Sequence, residues 1–158
     1  MNTFCYVESP VGPLLLTSDG TALTGLYMEP SHATESTAGW RHDAGIEPLA
    51  ATARQLSEYF AGSRREFDLP LRAAGTAFQQ SVWRELREIP YGETWSYGQL
   101  AKRIGNPNGS RAVGLANGRN PISILVPCHR VIGADGSLTG YGGGLDRKRW
   151  LLAHEGLH

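Results

Sequence analysis

The sequence predicts an α+β protein in two parts: an N-terminal antiparallel sheet with a helix, then a mainly helical domain of winged-helix or helix-turn-helix type. Three observations carry that reading. Short apolar runs broken by turn residues fill the first thirty positions, and apolar residues at helical spacing dominate after residue 76. Between them, Ala73-Ala74-Gly75 reads as a linker, dividing residues 1–74 from residues 75–158. At 158 residues the chain has room for one compact domain or two small ones.

From Phe4 to about Met28 the pattern is strand and tight turn. Ser9-Pro10-Val11-Gly12-Pro13 is one breaker cluster, and Ser18-Asp19-Gly20 marks a hairpin between Leu14-Leu15-Leu16 and the run from Ala22 to Tyr27. Residues 30–47 are rich in small and polar types and are expected as loop. Pro48 suits a first helical position, and Leu49, Ala53, Leu56 and Phe60 then follow one face until Gly62. Phe67, Leu69 and Leu71 alternate as a last strand would.

The second part opens on Thr76-Ala77-Phe78-Gln79, the form of a capping box, with Phe78, Val82, Leu86 and Ile89 as its apolar stripe. Pro90-Tyr91-Gly92-Glu93 breaks it. A second capping box, Ser96-Tyr97-Gly98-Gln99, starts a helix carrying Tyr97, Leu100, Ala101 and Ile104 on one face. After the turn at residues 105–109, Ser110 is expected to cap a third helix from Arg111. That helix is mostly alanine and glycine, and two glycines cost about 1 kcal/mol each against alanine, so close approach of the backbone to something is expected. A narrow DNA groove and a tightly packed neighbouring helix both fit.

Charge separates the halves. Residues 1–74 hold five arginines against nine carboxylates, whereas residues 75–158 hold ten cations against six. A basic half suits an anionic partner, of which nucleic acid is the commonest large one. No apolar run approaches the roughly 18 residues of a membrane span, and the N-terminus lacks the basic start and apolar core of a secretory signal. Two cysteines are too few for a disulfide framework, so a reducing cytoplasmic location is expected.

The run Ile124-Leu125-Val126-Pro127-Cys128-His129-Arg130-Val131 holds the candidate chemistry. It is expected as a buried strand or core segment delivering a thiol beside a base and a cation. Burial alone silences a thiol, and His129 or Arg130 could activate it. On residue type alone the plainer reading is favoured for each: Cys128 as a small core residue, Tyr97 as core, Glu155 as a solvated helix-end charge, Gly142–Gly144 as a flexible loop, and Arg111 as an exposed cation.

Register changes this balance. Phe78–Trp83, Ser110-Arg111-Ala112-Val113-Gly114, Asn120-Pro121, Pro127–Gly133, Gly140–Leu145 and Trp150–Gly156 fall in order, and together the sequence resembles the O6-alkylguanine-DNA alkyltransferases, or methylated-DNA–protein-cysteine methyltransferases. The resemblance is specific from about Phe78 to Gly156. It implies single-use repair of O6-alkylguanine, and of O4-alkylthymine, in double-stranded DNA with the base flipped out. Cys128 would take the alkyl group, His129 would act as base through a water, Glu155 would support the imidazole, Asn120 would order the network, and Tyr97 would donate to the departing guanine. Arg111 would enter the duplex while Ser110, Ala112, Gly114, Asn117 and Gly118 line the DNA-docking helix. Tyr141, Gly142 and Gly143 would close over the base, and the carbonyls of Cys128 and Val131 would accept from its amine.

The resemblance implies no cofactor, and a monomer that could assemble cooperatively on DNA. Some relatives bind zinc with two cysteines and two histidines in the N-terminal part. Here that part offers only Cys5, His32 and His42, so no metal is expected. A helix-turn-helix protein without catalysis, a cysteine hydrolase and a lesion-binding relative without transfer activity are the remaining readings, the last disfavoured because Cys128 is present.

Overall fold

The computed structural model describes residues 2–31, 33–138 and 140–157. Two compact units divide between Ala74 and Gly75.

The first unit is built on strands β1 (Thr3–Val7), β2 (Leu14–Ser18) and β3 (Leu23–Met28), antiparallel in sequence order. Every residue of β2 is buried, because β1 and β3 flank it and helix α2 (Leu49–Phe60) packs on β1 and β2. That central position explains an unbroken Leu14-Leu15-Leu16 where a half-exposed strand would alternate.

Four expectations need correction. Residues 30–47 are not all loop, since a one-turn helix α1 (Ala33–Ser36) and a short strand β4 (Arg41–His42) lie within them. Strand β4 pairs with β1 in parallel, so the sheet is antiparallel except at this edge. Phe67, Leu69 and Leu71 do not form a strand. Pro70 intervenes, and only Leu71 makes a bridge, to Leu23. Pro48 is the N-cap of α2 rather than its first helical residue. Gly62, at φ +82°, supplies the left-handed turn that closes the helix.

The second unit follows its local signals closely. Helix α3 (Ala77–Leu86) and helix α4 (Tyr97–Arg103) both begin in complete capping boxes, from Thr76 with Gln79 and from Ser96 with Gln99. Between them lies β5 (Trp95–Ser96), which pairs in parallel with β6 (Val131–Ile132). Helix α5 (Ser110–Gly118) packs on α3 and α4, and the Trp83 indole N–H ties α3 to it through the Ala116 carbonyl at 2.8 Å. The N-cap of α5 is Gly109 and makes no side-chain cap bond, so Ser110 is the first helical residue rather than the cap. Val113, Ala116 and Asn117 face inward, while Ser110, Arg111, Ala112, Leu115 and Gly118 are exposed.

Ile124, Leu125 and Val126 are buried but lie in a turn and bend in place of a strand, the core-segment alternative of the two expectations. Ile124 sits at φ +73°, the one non-glycine residue with positive φ among the described residues. For a β-branched side chain that conformation costs on the order of 1–3 kcal/mol and needs support from its surroundings. The Asn120 carboxamide supplies it: Nδ2 donates to Val126 O at 2.8 Å and Oδ1 accepts from Ile122 N at 3.0 Å. The chain then enters a 3-10 turn at Cys128–Arg130, and helix α6 (Leu145–His154) packs against that turn.

Candidate active site

Cys128 lies at the head of the 3-10 turn and is only 5% exposed. Burial pushes its thiol up, against pulls from the Asn120 side chain, the Lys148 charge, its own backbone and Tyr141. The resting sulfur is therefore a thiol, and it needs a base at the moment of reaction.

His129 is wholly buried, and its Nε2 lies 2.8 Å from Glu155 Oε2. Glu155 is buried too. Desolvation raises its carboxyl, but the His129 and Arg130 hydrogen bonds outweigh that and hold it well below the usual carboxylate range. An ionised carboxylate only accepts, so Nε2 carries the hydrogen and Nδ1 keeps its lone pair. Nδ1 is buried with no hydrogen-bond partner among the described residues. Burial depresses the imidazole's affinity for a second proton, overriding the Glu155 interactions that favour it. The result is a neutral histidine of fixed tautomer with one bare nitrogen. That is the arrangement of a general base.

Arg130 completes the group. Its Nε donates to Glu155 Oε1 at 2.7 Å, Nη2 to Oε2 at 3.0 Å, and Nη1 to the Ile89 carbonyl at 2.8 Å. The guanidinium lies 5.6 Å from the Tyr91 ring centre. Sequence adjacency made Arg130 a candidate for tuning Cys128. The structure spends it on Glu155, cancelling a buried negative charge that would otherwise be intolerable.

The other predicted residues fall into three groups. Asn120 stands between the thiol and the turn before it, as above. Tyr97, at the start of α4, lies under α5, where a Cβ placed on Gly114 would stand 3.7 Å from its ring. Gly142 approaches the end of α5, with the Gly118 carbonyl 3.8 Å from its would-be Cβ, and Gly143 follows in the same loop. The Tyr141 hydroxyl is buried near Ser123 and Cys128 without a well-formed hydrogen bond. Arg111, Ser110, Ala112 and Gly118 share the exposed side of α5, Gly114 is half-buried, and Asn117 is buried, its Nδ2 donating to the Cys128 carbonyl at 3.4 Å. The Val131 carbonyl already accepts from Lys148 Nζ at 2.6 Å.

In the first unit, Cys5 is buried on β1 with its thiol pushed up to about 11, first by desolvation and then by Asp43. His42 is exposed at the sheet edge, and His32 lies outside the described residues. Among the described residues no group of His, Cys, Asp and Glu could hold a metal ion, and no helix is long and apolar enough to cross a membrane.

Two family profiles cover nearly the whole chain. The 6-O-methylguanine DNA methyltransferase ribonuclease-like domain matches residues 3–73, and the DNA-binding domain of the same family matches residues 77–157. The chain belongs to the 6-O-methylguanine DNA methyltransferase family. A methylated-DNA–protein-cysteine methyltransferase of Mycobacterium tuberculosis is 54% identical over 94% of this chain and 89% of its own length. One from Methanosarcina acetivorans is 53% identical over 97% of both chains. The crystal structure of Mycobacterium tuberculosis OGT in complex with DNA superposes with a TM-score of 0.90 at 53% identity, covering 97% of this chain and 92% of that one.

Two features of this family member escaped sequence reasoning. Lys148 is fully buried in a run of three cations, Arg147-Lys148-Arg149. Its signal was present, because Lys148 precedes Leu151 and Leu152 by three and four residues and so shares their inward face. Leu115 is 63% exposed in the middle of α5, an apolar side chain where the small-residue pattern drew attention to its neighbours.

Proposed function

We propose that this protein repairs double-stranded DNA by moving the alkyl group of O6-alkylguanine onto Cys128 in one irreversible step. The buried array of Cys128, His129, Glu155 and Arg130 carries the reading, because a helix-turn-helix regulator has no use for it. The thiol proton passes to His129 Nδ1, through a water as the family resemblance implies. Sγ then attacks the alkyl carbon, forming the S–C bond as the C–O6 bond breaks. The electron pair returns to the base, which takes a proton with help from the Tyr97 hydroxyl and leaves as neutral guanine. The proton lost by the thiol balances the one gained by the base. No cofactor is needed, and the thioether consumes the protein.

A buried thiol cannot reach a stacked base, so the nucleotide must be flipped out at a cost of a few kcal/mol. Helix α5 suits the docking. Neither Gly114 nor Gly118 is demanded by packing, since a Cβ at Gly114 would meet Tyr97 at ordinary contact distance and one at Gly118 would meet nothing. Close approach by an external backbone accounts for them better. Arg111 stands in the first turn, where the helix dipole disfavours a cation by about 0.3–1 kcal/mol, which fits a role on DNA. The loop of Tyr141, Gly142 and Gly143 would cover the base. Both cysteines are free, in keeping with a reducing cytoplasm, and we take the protein as a monomer that could assemble cooperatively on DNA.

The test is a duplex with one O6-methylguanine, incubated with the protein and digested to nucleosides. Restored guanine is expected, and none with Cys128→Ala. Failure of the wild-type protein to restore guanine would reject the reading.

A further inference from the structure

Tyr141 carries a buried hydroxyl that the proposed mechanism leaves without a task. It lies near the side chains of Ser123 and Cys128, with no well-formed hydrogen bond among the described residues. Burial, and then the charge of an ionised Cys128, raise the phenol well above its ordinary value, so it keeps its hydrogen. A phenol that keeps its hydrogen can donate it, and one of its two neighbours is the reacting sulfur. An orphaned buried hydroxyl is costly, and a fold that holds one beside its nucleophile has a use for it.

The use follows from what happens to the sulfur. A neutral thiol is a weak acceptor, which accounts for a resting hydroxyl with no well-formed bond. Once the thiol proton passes to His129, the sulfur becomes a buried thiolate and a strong acceptor. The other groups that pull on Cys128 are committed elsewhere. Asn120 Nδ2 is shared with the Val126 carbonyl at 2.8 Å, and the Cys128 backbone N–H donates to the same carbonyl at 2.8 Å. Lys148 acts on the sulfur through its charge while its Nζ donates to the Val131 carbonyl, and Arg147 of the same helix acts through its charge on Tyr141. Arg130 is spent on Glu155. Tyr141 brings a hydrogen that none of these contacts claims.

We propose that the Tyr141 hydroxyl donates a hydrogen bond to Cys128 Sγ as the thiolate forms, making Tyr141 a catalytic residue that acts on the nucleophile as well as part of the covering loop. This rests on the proposed transfer to Cys128. The phenol hydrogen stays on its oxygen throughout, the thiol proton goes to His129, and the only bonds exchanged between heavy atoms are those of the transfer. The contact is weak to the thiol, strong to the thiolate and weak again to the thioether product. An interaction that strengthens only on the way to the transition state raises the rate and does not merely tighten binding.

The test is Tyr141→Phe, which removes the hydroxyl and keeps the ring. Two rates are compared with wild type at neutral pH: single-turnover methyl transfer from saturating O6-methylguanine duplex, and alkylation of Cys128 by iodoacetamide without DNA, followed by mass on the peptide containing Cys128. Losing a hydrogen bond to a charged group should lower thiolate formation by about ten-fold. The more basic sulfur is a better nucleophile and recovers part of that, so both rates should fall by about three-fold or more. Removing an oxygen, or loosening the loop, widens access to the sulfur, so a merely structural role would leave the iodoacetamide reaction unchanged or faster. Either of those results would overturn the proposal, even with slower transfer from DNA, because Tyr141 would then act only on the base. Absence of transfer from O6-methylguanine by the wild-type protein would instead reject the function, while the iodoacetamide rates would still read the contact with sulfur.

Discussion

Glu155 meets the His129 ring on one oxygen and the Arg130 guanidinium on both, with all three side chains buried. One carboxylate therefore serves both fold and reaction. Glu155→Ala leaves Arg130 as an uncompensated buried cation, and should cost about 3–5 kcal/mol in chemical denaturation. Transfer should slow as well, because the histidine loses the acceptor that fixes its tautomer. The pH dependence of stability follows from the same group. Its folded value is depressed, so the stabilisation is complete above the unfolded carboxylate value of about 4.3 and is lost as pH falls below it. His129 gives the reaction its own profile. Protonation must be avoided for the base to work, and burial holds the imidazole below its ordinary 6.5. The acid limb of the single-turnover rate should thus lie below pH 6.5, and a midpoint above it would contradict the neutral-base assignment. Chemistry-bearing residue types were legible here, and the resemblance implied that Glu155 supports His129, but the Arg130 partner was not legible. Nothing in spacing ties Arg130 to a carboxylate 25 positions away.

The two capping boxes were legible from local rules, whereas the helix starts at Pro48 and Ser110 each lie one position from where such rules placed them. Pairings that depend on distant neighbours were not legible. Capping boxes at Thr76 and Ser96 are closed within four residues, so sequence alone specifies them. The pairing of β4 with β1 rests on two residues joined across the sheet, and no local periodicity announces it. Ile124, Leu125 and Val126 could pass for a strand because they are apolar, yet Asn120 holds the segment in a turn that leads into Cys128. Asn120→Ala should release the strained Ile124 turn, lowering stability and slowing transfer together. Helix α5 offers the opposite sign. Replacing Gly118 by alanine meets open space in the protein, so it should stabilise the fold by up to about 1 kcal/mol. The same methyl group would obstruct the DNA backbone, and affinity in a binding titration should fall. Unchanged affinity would mean that this helix does not dock on DNA.

Across the whole chain, a net charge of zero conceals an acidic first part and a basic second part. The basic part contains the proposed DNA surface, with Arg111 and Arg119 exposed towards the two ends of α5. Binding to undamaged duplex should weaken steeply as salt rises, since each phosphate contact releases a counterion. Arg111→Ala should reduce that slope, whereas substitutions confined to residues 1–74 should leave it unchanged. The central claim concerns stoichiometry, and counting alkyl groups tests it most directly. With duplex carrying O6-methylguanine in large excess, the intact mass of the protein should rise by one methyl group and stop, with the peptide containing Cys128 carrying all of it. Guanine restored in molar excess over protein, or a methyl group on any other residue, would contradict the account.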